Sequence, residues 1–495
     1  MIRKVVLIVA AGAASTGTVT AEVGDTFTLD RLTYTVTSES TPAVKAMASD
    51  THISGEVVIP SSVSNAGKDY AVTAIATSAF NNCVSITSVA IANSVKSIGA
   101  GSFSGCSALI SATLPTGISS IGNNTFYNCF SLESMIIPEG VTSIGSNAFF
   151  DCHSMTSVTL PTTLKSIGTD GLNRCSALTK IDIPEGVTTI SNYAFFGCTE
   201  LTSITFPASL TSYGTGVLSY CKSLKEINVA PDNKILVSVD GVLYNKEITT
   251  LLQYPLARVS AVYEIPEGVT TLSANAFMGN HTLESMIVPK DVANINFGVF
   301  ADCSAMKSID VAEANENYKS VDGVVYSKDE TTLVAYPAGR NGKYEILPAT
   351  TEILRSCFRE CKGLTAITIP EGIASLGNYV FFGCENLTTI TDLNPVPPTI
   401  GTQVFDSVPA SAVVYVPDGS SDAYAQAWPM FTDFRTIADA SIDTIRADEE
   451  SEIDFANPYV VYNASGIIVG DDIDTLEPGI YIVGQGVKSK KIVVK

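Results

Sequence analysis

Seven cysteines stand at a fixed interval of 23 residues, and this period constrains the fold more than any other feature of the chain. They are Cys83, Cys106, Cys129, Cys152, Cys175, Cys198 and Cys221. The interval returns between Cys361 and Cys384, and Asn280 stands 23 residues before Cys303 in the same context. Val408 fills the equivalent position of a last copy. A unit this short cannot bury its own apolar face, so the copies must stack into a solenoid.

The repeated unit predicts what each turn of the solenoid contains. Aligned on the cysteine it reads Pro-x-Gly-Val-Thr-Ser-Ile-Gly-x-x-Ala-Phe-x-x-Cys-x-x-Leu-x-x-Ile-x-Ile. Leu-x-x-Ile-x-Ile alternates as a strand does, and the proline ends it because proline has no N–H to donate. Val-Thr-Ser-Ile predicts a second short strand, and Ala-Phe-x-x-Cys predicts one helical or 3₁₀ turn. The sequence therefore predicts a β-rich solenoid of about twelve turns over residues 60–417.

The phenylalanine of the unit faces the same way in every copy, which predicts a stacked aromatic spine inside the solenoid. Its members are Phe80, Phe103, Phe126, Phe149, Phe195, Phe277, Phe300, Phe358 and Phe381.

Two longer intervals interrupt the period. The interval after Cys221 is 59 residues long, and the interval after Cys303 is 58. The extra pieces share one sequence, with 12 of 18 positions identical between 238–255 and 320–337. Each has two β-rich runs around a polar turn, which predicts a β-hairpin. The predicted insertions cover residues 231–264 and 311–347.

The N-terminus resembles an export signal. Arg3 and Lys4 precede ten apolar residues, and small residues follow up to Ala21. This order predicts a signal peptide over 1–21, with a buried first strand as the alternative. Ten apolar residues are too few to span a bilayer, so we expect no transmembrane segment in the mature chain. We therefore expect a secreted or surface-displayed protein.

Both ends of a solenoid need covering because an open turn exposes apolar core. Residues 22–59 contain short β segments and predict an N-terminal β cap. At the other end, 418–437 predicts a helical cap in which the lone Trp428 covers the last turn. Residues 438–456 are rich in acidic side chains and predict a linker. Residues 457–495 alternate again and predict a small β domain.

Composition narrows the possible functions. The chain has 29 Lys and Arg against 50 Asp and Glu, a net charge of −21, which argues against nucleic-acid binding. It has three histidines far apart, and the strings of zinc proteases, phosphate-binding loops and serine hydrolases are missing from the sequence. We predict no catalytic residue, cofactor or metal ligand. Cysteines one turn apart fit disulfide geometry poorly, so we expect buried free thiols, with a disulfide or metal ladder as the alternative.

The unit strongly resembles the BspA-like, type 5 leucine-rich-repeat family of bacterial surface proteins. Ile-Pro-Glu-Gly-Val-Thr-Ser-Ile-Gly-x-x-Ala-Phe stands at 137–149 and recurs from Ile183, Ile265 and Ile369. The Asp-Gly-Val-x-Tyr strings in the two insertions also look like that family's. The resemblance covers about residues 57–437. It implies a leucine-rich-repeat solenoid on a secreted or surface-exposed protein, adhesin-like in role and without shared catalytic residues.

The last segment looks like the C-terminal sorting domain of type IX secretion substrates in Bacteroidetes. The matching features are the strand Gly-Ile-Tyr-Ile-Val at 479–483 and a terminal basic and apolar strand from Lys490. A plain accessory β domain is the alternative, since a small capping sandwich has the same pattern.

Candidate binding residues lie on the predicted strand face and in the insertions. One outward position recurs between the inward isoleucines, and Tyr, which is favoured at interfaces, recurs in the hairpins. The candidates are Thr113, Thr159, Asp182, Thr205, Asn228, Asp310, Tyr244 and Tyr326. The alternatives are that Thr and Ser merely suit an exposed sheet, and that the tyrosines attach each hairpin to the solenoid.

These patterns favour an interaction protein that binds an extracellular or host protein. A carbohydrate-binding accessory protein is the second hypothesis, and exposed aromatic residues aligned along one face would favour it. An enzyme is the third, and it would need a deep pocket with convergent titratable groups.

Overall fold

The computed structural model describes residues 21–437 and, beyond them, 460–463, 468–470, 479–485 and 488–494. The predicted signal peptide up to residue 20 and the predicted linker over 438–456 lie outside the described residues. The described chain forms a β-solenoid of about 16 turns with one short α-helix. The predicted solenoid is confirmed. The turn count exceeds the predicted twelve because the insertions and the caps add strands in register.

One row of strands comes from the Leu-x-x-Ile-x-Ile part of the unit. These long strands pair in parallel, and Met135, for example, aligns with Val158 of the next turn. The long strands are β4 (Ser54–Ile59), β7 (Ser85–Ile91), β9 (Ser111–Thr113), β11 (Ser134–Ile136), β13 (Ser157–Thr159), β16 (Ser203–Phe206), β18 (Glu226–Val229), β22 (Val262–Glu264), β24 (Ser285–Val288), β26 (Ser308–Val311), β30 (Gly342–Glu345), β32 (Leu364–Ile369), β34 (Thr389–Asp392), β36 (Val413–Val416) and β37 (Asp433–Thr436).

The second row comes from the Ser-Ile part of the unit, as predicted. Each strand is two residues long, with the isoleucine or its equivalent directed to the core and Ser120 aligned with Ser143. The short strands are β8 (Ser97–Ile98), β10 (Ser120–Ile121), β12 (Ser143–Ile144), β14 (Ser166–Ile167), β15 (Thr189–Ile190), β17 (Ser212–Tyr213), β23 (Thr271–Leu272), β25 (Asn294–Ile295), β31 (Glu352–Ile353), β33 (Ser375–Leu376) and β35 (Thr399–Ile400).

The segment that joins a short strand to the next long strand contains a corner, defined here as the six residues that end at the repeat cysteine. The predicted helical or 3₁₀ turn is wrong here. In the corner 147–152 the first and fifth residues, Asn147 and Asp151, have φ of 52° and 59°. Left-handed residues at this spacing interrupt a helix and produce two overlapping β-turns instead. Asn, Asp or Gly fills most of these positions along the chain, because these residues tolerate the left-handed region best.

The cysteine thiols hydrogen-bond to the turn before them. The Sγ–H of Cys152 donates to the carbonyl oxygen of Phe126 at 3.2 Å, and seven other repeat cysteines make the same contact 26 residues back. All eleven cysteines are buried and free. The expectation of buried thiols is therefore confirmed, and the predicted alternative of a disulfide ladder is not what the chain forms.

The aromatic spine is present and fully buried. Phe80, Phe103, Phe126 and Phe149 stack with ring centroids 5.1–5.4 Å apart and nearly parallel planes. The stack is interrupted where leucine fills the position, as at Leu172. It resumes beyond the first insertion, and this offset stacking of rings adds to the area that the spine buries.

The two insertions are more than hairpins. Each is a three-stranded antiparallel meander whose third strand joins the row of short strands. The third strands are β21 (Thr250–Gln253), which pairs in parallel with β23, and β29 (Thr332–Ala335), which pairs in parallel with β31. The residue after each third strand enters the aromatic spine, and the Tyr254 ring lies 5.2 Å from Phe277. The inserted strands are β19 (Leu236–Val239), β20 (Val242–Asn245), β21 (Thr250–Gln253), β27 (Tyr318–Val321), β28 (Val324–Ser327) and β29 (Thr332–Ala335).

The N-terminal cap is a sheet that leads into the first turns, in the strand order β1-β2-β3-β6-β5. It extends past the predicted boundary at residue 59, since strands up to Ile75 belong to it. Its parallel pairing of β3 with β6 sets the register that the solenoid continues. The cap strands are β1 (Thr26–Leu29), β2 (Leu32–Ser38), β3 (Ala43–Ala48), β5 (Ser62–Asn65) and β6 (Lys68–Ile75).

The C-terminal cap contains the predicted helix, α1 (Ser421–Ala427). Trp428 is completely buried, its ring lies 5.1 Å from Phe405 at the end of the spine, and its Nε1–H donates to the carbonyl of Pro398. The predicted covering role of Trp428 is confirmed. The Ser420 side chain does not cap the helix but donates to the carbonyl of Pro395, which ties the helix to the preceding turn.

The C-terminal β domain forms a four-stranded antiparallel sheet in the order β39-β38-β40-β41. Its strands are β38 (Val460–Asn463), β39 (Ile468–Gly470), β40 (Gly479–Gln485) and β41 (Lys488–Val494).

Thiol titration tests the cysteine ladder. Burial raises the pKa of Cys83 to about 11 and of Cys106 to about 12, against an ordinary thiol pKa of about 8.5 in the unfolded chain. The folded chain therefore keeps protons that the unfolded chain releases, so stability is complete below about pH 8.5 and falls as the pH rises toward 11. We expect eleven reactive thiols after unfolding without reductant and few in the folded protein. We also expect the urea concentration at the midpoint of unfolding to be lower at about pH 10 than at about pH 7.5. A thiol count well below eleven would reveal disulfides and contradict the ladder.

Asp392 in the C-terminal cap gives a second prediction. Burial raises its pKa to about 6, and its Oδ2 has no hydrogen-bond partner within the described part of the chain. Because the folded pKa exceeds the unfolded value of about 3.9, this group favours folding most below about pH 4 and loses that contribution as the pH rises through 6. We expect Asp392→Asn to raise the melting temperature at about pH 7.5 and to change it little at about pH 4. The exposed Asp418→Asn is the control, and an equal shift at both pH values would contradict the prediction.

Candidate interaction surfaces

The candidate residues of the strand face lie in one row along the long-strand side. Thr113, Thr159, Thr205 and Asp310 are exposed on long strands, Asn228 is half-buried on one, and Asp182 is exposed on a segment that is not a strand. The structure separates them into two blocks, because the first insertion lies between the turn of Asn228 and the sheet that carries Asp310. The five candidates from Thr113 to Asn228 share the first block, where Thr205 aligns directly with Asn228.

The strand face is weakly charged. Lys180 neutralises Asp182 with an Nζ–Oδ1 distance of 2.9 Å, and Asn228 donates to Glu226. Ile136 belongs to the same row and is 72% exposed, an unusual exposure for an isoleucine. A serine row runs beside it, with Ser134 and Ser157 aligned and exposed. The face therefore offers hydroxyl groups and isolated apolar side chains along successive turns.

The two hairpin tyrosines are not available to a partner, which corrects the prediction for Tyr244 and Tyr326. Their exposed fractions are 1% and 0%. The Tyr244 hydroxyl bonds to that of Tyr263 at 2.6 Å, and Tyr326 pairs in the same way with Tyr344 at 2.5 Å. Both tyrosines therefore attach the insertion to the solenoid, which is the alternative that the sequence left open.

A row of aromatic side chains on the corners was not predicted from the sequence. The fourth corner residue points outward, and in this row the half-buried rings of Tyr127 and Phe150 stack at 5.0 Å. Arg174 lies over Phe150 at 6.0 Å, and Phe196 and Phe382 occupy the same position in later turns. The signal was present in the Phe-Phe pairs at 149–150, 195–196 and 381–382, since the spine needs only the first ring of each pair.

The insertions shorten the corner side of the solenoid. In a regular turn, seven residues lead from the spine position to the first backbone hydrogen bond of the next long-strand segment. After Tyr254, which fills the spine position, only three residues lead to Ala257, whose N–H donates to the carbonyl of Leu224. Each insertion therefore adds a strand and a spine residue but no corner. The corners on either side meet directly, as the Oγ of Ser219 donates to the carbonyl of Asn275 at 3.2 Å. With two insertions, the strand side has two more strands than the corner side has corners, and each adds about 4.8 Å to its length. Because the strand side is longer, the solenoid curves toward its corners.

A groove lies on this shortened side and is called the corner groove below. Its cavity measures about 290 Å³ and draws residues from turns far apart in sequence, from Asp170 to Tyr379. The central corners have small residues at their outward positions, such as Gly216 and Ala301, while Tyr193 and Arg359 flank them. A second cavity of about 490 Å³ adjoins the groove and shares Phe297 and Arg355 with it.

Other kinds of site are not found in the described part of the chain. Within residues 21–437 and the C-terminal strands, no three His, Cys, Asp or Glu side chains converge as metal ligands would. Over the same residues, no helix has the length and apolar character needed to cross a membrane.

The fold and surfaces together define a solenoid of stacked 23-residue units with hairpin insertions. The model of the BspA type leucine-rich-repeat region matches residues 73–175, 119–249, 258–328 and 343–438, in six copies. These matches cover more than half of the chain, and the chain belongs to this family of surface proteins. A search of curated proteins found no match to the chain.

One solved structure supports the fold, and others show weaker similarity. A leucine-rich cell surface protein from Faecalibacterium prausnitzii A2-165 is 25% identical, with a TM-score of 0.53, and the alignment covers 74% of this chain and 94% of that one. The pneumococcal vaccine antigen PcpA is 18% identical over 84% of this chain and 99% of that one, with a TM-score of 0.47. A leucine-rich-repeat protein from Bacteroides ovatus ATCC 8483 is 23% identical over 83% and 99%, with a TM-score of 0.41.

The buried tyrosine pair gives a testable prediction. Tyr244→Phe leaves the Tyr263 hydroxyl without its partner in a largely buried position, and we expect the free energy of unfolding to fall by about 1–3 kcal/mol. Binding to any partner should not change. The double variant Y244F/Y263F should lose less than the sum of the two single variants, because the pair acts as a unit. Tyr127→Phe on the corner surface is the control. An additive double variant would contradict the pairing.

Proposed function

We propose that the chain is a secreted or surface-displayed interaction protein, adhesin-like, that binds an extracellular or host protein. The observation that carries this proposal is the strand face, on which Thr113, Thr159 and Thr205 stand exposed in one row beside the serines. Such a face accepts a partner along several turns, as the extended surfaces of solenoids do. The binding residues of the proposal are these threonines with Asp182 and the half-buried Asn228 in the same block, and Asp310 in the block beyond the first insertion.

Membership in a family of surface proteins supports the proposed location. We propose further that residues 1–21 direct export and that 457–495 act as a sorting domain. Sorting by 457–495 would make the solenoid the functional cargo.

The proposed role is binding and not catalysis. Burial raises the pKa of Cys198 and Cys384 to about 12, so these thiols stay protonated at neutral pH and are poor nucleophiles. The strand face has neutral hydroxyls, which recognise partners by shape and hydrogen bonding without acid or base chemistry.

Carbohydrate binding is the second candidate function. It is favoured by the aromatic row on the corners, where Tyr127 and Phe150 present half-buried ring faces to the surface. The sequence-based expectation was for exposed aromatic residues along one face, and these rings meet it in part, because they are aligned but half-buried.

Binding of the purified chain to an array of extracellular-matrix proteins and glycans tests the first candidate. We expect a protein partner whose affinity falls roughly tenfold in T159R/T205R, because the two arginines obstruct the strand face on both sides of the turn of Asp182. The matched control is S119R/S212R, which adds the same charge on exposed serines of the short-strand side. It should bind like the parent. An equal loss in both variants would point to a general charge effect and contradict a site on the strand face.

A further inference from the structure

The corner groove contains polar groups that the protein itself leaves without partners. Asn173 is 6% exposed, and its Nδ2–H donates to Asp170 at 2.5 Å while its Oδ1 has no hydrogen-bond partner among the described residues. The buried Nε of Arg359 also has none there. An unpaired buried polar group is costly, so these atoms are suited to receive groups from outside the chain.

The opposite wall of the groove carries two guanidinium groups held on aromatic rings. The Cζ of Arg355 lies 3.2 Å from the centroid of Phe297, and that of Arg359 lies 4.8 Å from Phe382. Stacking fixes the guanidinium plane and leaves its N–H edges free. Among the described residues neither group has an ion-pair or hydrogen-bond partner. A planar donor edge of this kind matches a carboxylate.

Acidic residues also lie near the arginines. Glu360 lies 3.6 Å from the Nζ of Lys362, and burial raises its pKa while the charges of Lys362 and Arg359 oppose that rise. At the far end of the groove, burial raises the pKa of Asp170. The groove therefore has a cationic end at Arg355 and Arg359 and a hydrogen-bonding end at Asp170 and Asn173.

Aromatic rings line the space between these two ends. Tyr193, Phe196 and Tyr379 are half-buried, and Tyr193 lies over Gly216, where a Cβ would come within 2.5 Å of the ring. Glycine at this position is therefore required for the Tyr193 ring to lie along the groove. Ring faces of this kind pack against the C–H faces of a sugar, and a sugar hydroxyl can donate to the Asn173 Oδ1, which has no partner among the described residues. The groove and its adjoining cavity have volumes typical of small-ligand sites.

We propose that the corner groove binds a short carbohydrate that carries a carboxylate, with the carboxylate on Arg355 and Arg359, the sugar rings along Tyr193 and Tyr379, and hydroxyls on Asn173 and Asp170. This inference deepens the second candidate function and rests on it. It is independent of a protein partner on the strand face. The shared chemistry is an acidic pyranose, which occurs in both uronic-acid and sialic-acid glycans.

Isothermal titration of the purified chain tests the proposal with trigalacturonate and 3′-sialyllactose as acidic probes. Maltotriose is the neutral probe, and a tetraglutamate peptide is the acidic probe without sugar rings. We expect at least one acidic saccharide to bind, and maltotriose and the peptide to bind at least about tenfold more weakly. The saccharide that binds distinguishes the two glycan sources. Failure of both acidic saccharides, or equal binding of the peptide, would overturn the proposal.

Matched variants locate the binding. R355Q removes an exposed guanidinium of the groove, and Y379L removes a ring from its wall, so each should weaken binding roughly tenfold. R174Q removes the same charge from a guanidinium that lies over Phe150 and is not part of the groove lining, so it should have no effect. Thermal melting confirms that each variant is folded. Equal losses in R355Q and R174Q would overturn the assignment to the groove. The strand-face variant T159R/T205R should keep saccharide binding, which separates this inference from the proposed protein interaction.

Discussion

The hydrogen bonds between successive corners are the constraint on which the rest of the structure depends. In one turn Asn147, Phe149 and Asp151 donate backbone N–H groups to carbonyls in and just before the next corner at 2.8–2.9 Å. Alternate donors can point along the solenoid axis only because the first and fifth corner residues are left-handed. The cysteine then adds a thiol bond in the opposite direction, to the carbonyl of the previous phenylalanine. Backbone geometry therefore fixes the 23-residue period, and the side chains fill the interior that it creates.

The insertions interrupt the stacking of the corners but leave the buried core continuous. Tyr254 and Tyr336 continue the aromatic spine, and each third strand continues the short-strand row, so the buried stack is preserved through both interruptions. Only the corner is omitted. Because the strand side and the corner side then differ in length, curvature follows, and the curvature brings the corner at Asp170 and the corner at Tyr379 to one cavity. The insertions, which in the sequence only lengthen two intervals of the repeat, therefore produce a concave surface.

Much of the fold could be predicted from the sequence because it follows from periodicity. The two strand rows, the spine from Phe80 to Phe381 and the buried thiols all depend on one residue type recurring at one spacing. The covering role of the lone Trp428 followed from the need to close the end of a solenoid. The corner conformation could not, because Ala-Phe-x-x-Cys is compatible with a helix until the φ angles of its neighbours are known. The roles of Tyr244 and Tyr326 depended on a partner hydroxyl 18 or 19 residues away. The corner groove depended on curvature, which no local pattern encodes.

The division between backbone and side chains also explains where binding specificity can arise. The bonds between corners use backbone atoms, so the outward first and fourth corner residues are free to differ from turn to turn. The chain uses this freedom unevenly. Small residues such as Gly216, Ser219 and Ala301 occupy the central corners, and large rings or arginines occupy the flanking ones. The strand face, by contrast, keeps hydroxyl residues over many turns. A uniform face suits an extended partner, whereas the varied corners build one local site, so the two surfaces are suited to different ligands on one scaffold.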